Sequence, residues 1–329
     1  MVRLRAWISF MACLVLATVW TAPVHAQLKP KFHTNATIGH PLHTALLKFS
    51  EDIRARTGGK VDFAIFPALQ LGAEAEAAEK IKLGAIEAGN ITSSVFSSWI
   101  PDVEVIDLPF VFRDEDHVLA AYPLLTKNLA PKFESQGFHL IGFTLSGSRH
   151  LISTFPIRVP DDVKGKKMRV IQNPIHVNTW KLLGANPTPL PAPEIYNALQ
   201  THVIDYFDFA KSFYYSFRFY EVAKHFTELG HIVALNAWVV SNAYWQRLDP
   251  AQRRAIEEAA AQTFPAVHKA TLQLEEEGLT KAVQTNTGVQ VIRITDKTEW
   301  RKRMEPIWAS YVGTNAERKN LVNAITALK

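Results

Sequence analysis

Cysteine is almost missing. The chain of 329 residues holds one, Cys13, inside an apolar run near its start. Beyond that run, cysteine nucleophiles, thiolate metal sites and disulfide frameworks are excluded, so stability must come from a core, which this length permits. An excess of one charge is missing too. The formal net charge of +5 includes Arg3 and Arg5, without which 36 basic residues become 34 against 31 acidic ones, a net of +3. That is too little for a nucleic-acid footprint. The run "DFAKSFYYSFRFYEVAKHF" offers aromatics with Lys211, Arg218 and Lys224, but Asp208 and Glu221 balance them. It makes a poor phosphate groove, and no nucleic-acid partner is expected. Catalytic punctuation is also absent: there is no G-x-S-x-G, G-x-G-x-x-G, P-loop or H-E-x-x-H. The serines beside His150 in "SGSRH" make no triad without geometry.

A bilayer-length apolar run is lacking as well. The stretch from Ala6 to Val19 falls short of the roughly 20 residues a span needs. Two arginines precede it and small residues lead to a cut after Ala26, so residues 1–26 read as a cleaved signal peptide. Cys13 lies within the run and not after it, which speaks against a lipid anchor. The expectation is an exported chain that is not membrane-embedded after signal cleavage.

Hydrophobic spacing supplies the architecture. "LKPKFHTNA" reads as a first strand, and the next segment places Leu42, Ala45, Leu46, Phe49 and Ile53 on one helix face. "VDFAIF" alternates as a strand, "AEAEAAEKIKLG" reads as a helix closed by Gly84, and "AIEAGNITSS" as a third strand. This alternation predicts βαβ units on a parallel sheet. A second unit starts near Gly137: "FHLIGFTL", "HLIST", "KKMRVI" and "VIDYFDFA" read as strands, "PIHVNTWKLLGA" and "PAPEIYNALQTH" as helices. "HIVALNAWVVS" is a long apolar strand suited to carry the chain back. From Asp249, nearly forty residues read as helix, with Pro250 at the first position and a kink or break predicted at Pro265. "VQVIRI" is a last strand before a helical tail. No repeat or low-complexity linker interrupts the chain. The predicted division is a first lobe of 27–148 plus about 236–275 and a second of 149–235 plus about 276–329, braced by the long helix.

Three groups of side chains are candidates for chemistry. His33, His40 and His43 are irregularly spaced with no acid nearby, and read as a strand-to-helix loop. Asp205 and Asp208 in "DYFDF" alternate, but two carboxylates are too few ligands for a cation, so no metal site is assigned. Arg149 and Arg169, twenty positions apart, each adjoin an apolar run. A buried arginine needs an anionic partner: a carboxylate such as Glu194, Asp161 or Asp162, or a ligand from outside.

Several segments in order then carry a resemblance. The opening from "HPLHTALL" through "QLG" to "KLGAIEAG", and "VIDLPFVFRDEDHV", "PDDVKGKKMRV", "EIYNALQTHVID" and "YEVAKHFTELGH", resemble the extracytoplasmic solute-binding proteins of tripartite ATP-independent periplasmic (TRAP) transporters, the DctP family. The resemblance covers essentially the whole chain after the leader. It implies an α/β, two-lobed periplasmic binding protein fold with mixed sheets and a hinge cleft, a periplasmic location, TRAP membrane subunits as partners, and no cofactor. It also implies an organic carboxylate ligand, held by the arginine of "KGKKMR", Arg169, in a two-pronged pair that lysine cannot copy. Arg149 and Asn35 match assisting positions; Thr92, Asp208, Phe209 and Trp238 complete the expected substrate-binding set. Members that bind sialic acid carry a glutamate and an arginine where this chain has Thr92 and Val95. Tyr206 and Phe209 replace a glycine and an asparagine, and Ala192 an aromatic. These departures predict one firmly read carboxylate and an apolar or aromatic remainder, with a dicarboxylate spanning both arginines as the alternative. A receptor serving a sensor kinase, or an enzyme on small organic acids using Asp205 or Asp208 as base, are the competing functions.

Overall fold

A computed structural model of the protein describes residues 29–328, so the leader and Cys13 lie outside the described residues. The first lobe begins with β1 (Lys31–Thr34), α1 (Pro41–Arg56), β2 (Ala64–Phe66), α2 (Glu74–Lys82) and β3 (Ala88–Thr92). β1 lies parallel to both β2 and β3, as the alternation predicts. Helix α1 buries Leu42, Leu46, Phe49 and Ile53 on one side, and His40 caps it by accepting the Leu42 N–H on Nδ1 at 3.1 Å. That cap accounts for one of the three clustered histidines.

Two short helical turns, Ser93–Ser98 and Pro101–Asp107, lead into α3 (Glu115–Ser135). The sequence reading missed α3, because Pro123 and Pro131 interrupt its pattern. Asp114 nonetheless caps it, accepting the His117 N–H at 2.8 Å. The chain continues through β4 (Phe138–Ser153), β5 (Lys167–Val170), α4 (Pro174–Leu182), β6 (Asn186–Pro189), α5 (Ile195–Gln200) and β7 (Tyr206–Ala210). Next come α6 (Lys211–Ser216), β8 (His225–Ser241), α7 (Asn242–Trp245), α8 (Pro250–Thr285) and β9 (Gln290–Arg293). The tail forms α9 (Thr298–Met304), α10 (Pro306–Val312) and α11 (Ala316–Thr326).

The lobes share one mixed sheet of nine strands, ordered β2-β1-β3-β8-β4-β7-β5-β6, with β9 also paired to β8. β4 and β8 are antiparallel over most of their length and run through both lobes. "FHLIGFTL" and "HLIST" are thus one strand, bent at register shifts near Gly142 and Gly147. At Gly147 the backbone has φ of +121°, and a Cβ there would lie 2.1 Å from Glu275 Oε1. Only glycine fits, and Arg149 follows two residues later.

Helix α8 starts on the expected Asp249 cap, closed reciprocally by Gln252. It is continuous through Pro265 over 36 residues. Its first half packs Ile256, Ala259 and Val267 into the first lobe, its second half Leu279 and Ala282 into the other. Packing at both ends offsets the roughly 3 kcal/mol proline penalty. The tail departs from the predicted division. Trp300 and Met304 of α9 pack with Val163 and Trp180 of the second lobe, but Ile307, Tyr311, Leu321 and Ile325 return to the first. There they cover the apolar face of α3, at Val118 and Leu129.

Candidate functional site

Parallel α/β sheets collect ligands at the carboxyl ends of their strands. Here Asn35 follows β1, Thr92 ends β3, Arg169 and Ile171 lie at the end of β5, and Phe209 and Ala210 end β7. These ends face each other across a cavity of about 260 Å³ between the lobes. Arg149 of β4 joins them from the stretch where β4 pairs with both β7 and β8.

The two arginines have different partners. Arg149 is 4% exposed and makes a two-pronged pair with Asp208: Nε donates to Oδ2 and Nη2 to Oδ1, both at 2.8 Å. Nη2 also donates to the Asp208 carbonyl at 2.6 Å, and the guanidinium lies 5.5 Å from the Phe209 ring centre. His231 Nε2 stands 3.1 Å from Asp208 Oδ2. Burial alone would raise the Asp208 pKa, but Arg149 and His231 hold it well below the usual carboxylate range. The internal partner of Arg149 is therefore Asp208, not Glu194, Asp161 or Asp162. Asp161 pairs with Arg303, and Asp162 accepts the backbone N–H groups of Arg158 and Val159.

Arg169 is 3% exposed, and among the described residues its side chain donates only from Nε, to the Leu190 carbonyl at 2.8 Å. Its Nη1 is buried without a partner among the described residues. Burial, and next the charge of Arg149, push its pKa down to about 9 against the opposing pull of Asp208 and Glu74. A guanidinium destabilised in this way has a large affinity for any anion able to reach its free edge.

The sequence reading missed Glu74, at the start of α2. It is half-buried and lines the cavity. Its Oε1 accepts from Thr92 N at 2.8 Å, from Thr92 Oγ1 at 2.9 Å and from Asn35 Nδ2 at 3.2 Å. Burial pushes its pKa up, while the Thr92 hydrogen bonds and both arginines pull it down. "AEAEAAEK" signals only a helix; the usable cue was position, since the first turn after β2 opens at a strand end. Gln172, Ser146 and Trp99 also line the cavity and were not anticipated.

Other expected residues divide cleanly. Asn35, Thr92, Val95, Ala192 and Phe209 line the cavity, with Asn35 and Thr92 engaged by Glu74. Asp208 is fully buried behind Arg149 and does not line it. Trp238 is also misplaced: it is 1% exposed, donates to Thr144 Oγ1 at 2.9 Å, and packs edge-on against Phe32 and Phe49 in the first-lobe core. Alternation along β8 turns it away from the cleft. Tyr206 is fully buried against Phe155 and Trp180, so it tells nothing of the ligand's far end. The cavity remainder is consequently mixed, with Glu74 beside the aromatic rings, and not apolar alone. Asp205 points away and accepts the Lys167 N–H at 2.8 Å. Among the described residues no cluster of three or more His, Cys, Asp or Glu could hold a metal ion. No described helix is long and apolar enough to cross a membrane.

Comparison with known proteins places the chain among solute-binding proteins. A solute-binding protein of Chromohalobacter salexigens is 29% identical over 293 residues, 87% of this chain and 85% of that one. A TRAP periplasmic solute-binding protein of Xanthobacter autotrophicus, solved with bound β-D-galacturonate, superposes with a TM-score of 0.87 at 30% identity, covering 92% of this chain and all of that one. One from Citrobacter koseri, solved with bound D-glucuronate, gives a TM-score of 0.86 at 29% identity, covering 91% and 99%. The bacterial extracellular solute-binding proteins of family 7, DctP, match residues 32–314, and the chain belongs to that family.

Proposed function

We propose that the protein is the periplasmic receptor of a TRAP transporter, binding one small organic acid and delivering it to the membrane subunits for uptake, without catalysis. The observation that carries this reading is the buried, unpaired edge of Arg169 in the interlobe cavity. A carboxylate meets that edge with two charge-assisted hydrogen bonds. Arg149, held by Asp208, supplies a second positive neighbour and not a second free clamp. The ligand touches both lobes, so it favours the closed arrangement, and the strands β4 and β8 bend to reach it.

Glu74 sets the chemistry of the far end. Among the described residues its Oε2 accepts one hydrogen bond, from Thr92 Oγ1 at 3.2 Å, and so retains capacity to accept hydroxyl hydrogens. A second carboxylate near it meets like charge. The ligand class is therefore a monocarboxylate bearing hydroxyls, as are the galacturonate and glucuronate bound by the relatives above.

A thermal-shift and calorimetric panel of D-galacturonate, D-glucuronate, succinate and an aromatic acid tests this. Ligand at a thousand times its dissociation constant adds about 4 kcal/mol, a shift of several degrees. Arg169→Ala costs about 2–5 kcal/mol of binding, a loss of about 30-fold to several thousand-fold. A folded Arg169→Ala protein that binds as its parent does refutes the assignment.

A further inference from the structure

We propose that His176 is a positioning residue that ties the contact between the lobes to the arginine pair behind the cavity. It lies on α4 of the second lobe and is 1% exposed. Its Nε2 is 3.3 Å from Asp107 Oδ1, and its Nδ1 is 3.9 Å from Asp208 Oδ2. Asp107 belongs to the first lobe, at the end of the turn Pro101–Asp107, and is fully buried. It accepts from Ser94 Oγ at 2.6 Å and from Asn173 Nδ2 at 3.3 Å. Asn173, the cap of α4, also donates to the Ser94 carbonyl at 3.2 Å. One imidazole thus stands between a carboxylate of each lobe, and the second of these carboxylates orients Arg149.

Neither ring nitrogen is aligned for a hydrogen bond with a described residue, despite the burial. Buried polar atoms without partners are costly, so such a placement needs a reason. A small tilt of α4 against the turn completes the Asp107 bond, since the distance is already short and only the angle is wrong. Seating α4 in this way steadies Asp208, and through it Arg149. The other charged or titratable groups at this junction are Arg149 from β4, His231 from β8, Arg169 from β5, and Glu104, which lies with Asp107 in the turn Pro101–Asp107. Without the imidazole, Arg149 is left as the cation that acts on both Asp107 and Asp208.

The effect on ligand affinity rests on the anion-site reading; the effect on lobe geometry does not. The measurement is the interlobe distance by pulsed electron paramagnetic resonance, with spin labels at Leu47→Cys and Val203→Cys, both exposed in the parent. Cys13→Ser in the full chain leaves no other thiol. His176→Phe removes both ring nitrogens, whereas His176→Gln keeps an amide nitrogen near the place of Nε2. Without added acid, His176→Phe and Asp107→Asn each shift the distance distribution, the double variant shifts it no further, and His176→Gln restores it. With D-galacturonate as probe, His176→Phe weakens binding by about 3- to 100-fold and His176→Gln stays close to the parent. An unchanged distribution in His176→Phe, or additive shifts in the double variant, overturns the proposal. If the parent ignores every carboxylate offered, the ligand reading falls and the distance measurement alone decides the role of His176.

Discussion

Replacing Asp208 by asparagine isolates what holds the site together before any ligand arrives. The carboxylate is fully buried and accepts two hydrogen bonds from Arg149 side-chain nitrogens, with His231 as a third neighbour. Asparagine keeps the volume but removes the charge, leaving Arg149 and Arg169 as two buried cations with Asp107 and Glu74 as the carboxylates still acting on Arg149. Removing one partner of a buried ion pair costs about 3–5 kcal/mol. Taking an unfolding entropy of about 2.1 cal/mol/K per residue, a chain of this length loses about 4–7 °C in melting temperature. The pH dependence has a fixed sign. Asp208 has a folded pKa below its unfolded one, so its contribution is present above the unfolded value near 3.9 and lost only as pH falls through the lower folded value. The loss in Asp208→Asn is therefore the same at pH 6 and pH 8. Because the variant site carries an extra net positive charge, sulfate should raise its melting temperature more than the parent's. Calorimetric melts at both pH values with and without sulfate check this. A variant that melts within 1 °C of the parent and shows no sulfate effect refutes the claim that Asp208 neutralises Arg149.

Two further outcomes follow from the other carboxylates. Glu74→Gln removes the like charge at the far end of the cavity while keeping a hydrogen-bonding group. It should gain affinity for succinate and lose affinity for D-galacturonate by roughly tenfold each, read by calorimetry, consistent with about 1–3 kcal/mol per charged hydrogen bond. Unchanged selectivity between these acids would remove Glu74 from the specificity argument. Glu275 on α8 is 5% exposed, beside Gly147 at the bend of β4, and burial pushes its pKa up to about 8, assisted by Glu115. A raised carboxylate pKa means stability is full below the unfolded value near 4.3 and declines as pH rises towards about 8. Glu275→Gln should flatten that decline and raise the melting temperature at pH 9, where thermal melts of both proteins give the answer.

Sequence periodicity made the βαβ alternation legible, since α1 and the strands beside it obey local rules: spacing, caps and breakers. It hid α3, whose two prolines defeat a pattern that Asp114 and the packed face at Val118 and Leu129 restore. It also split β4, because a glycine at a bend looks like a terminator until β8 is seen pairing through it. The site was legible where a family motif marked it, at Arg169 and Arg149, and in the strand-end residues Asn35 and Thr92. What escaped was partnership over long separations. Asp208 lies 59 residues from Arg149, and Asn173 lies 66 from Asp107. No local spacing predicts either contact. Trp238 shows the converse failure: an aromatic on a cleft strand faces one side or the other by alternation, and a one-residue phase decides between ligand and core.

On the proposed reading, the inequality between the two arginines sets how much negative charge the cleft accepts. Were both guanidiniums free, the cavity would hold two uncompensated cations and a dianion would suit it best. Asp208 cancels Arg149 from behind, at a place no ligand reaches. Glu74 then lines the same cavity as Arg169, and both arginines favour its charged form. One carboxylate satisfies Arg169; a second would meet Glu74 with no cation left to pair. Recognition of a single acid group therefore follows from a charge balance across four side chains, of which only Arg169 needs its partner from outside.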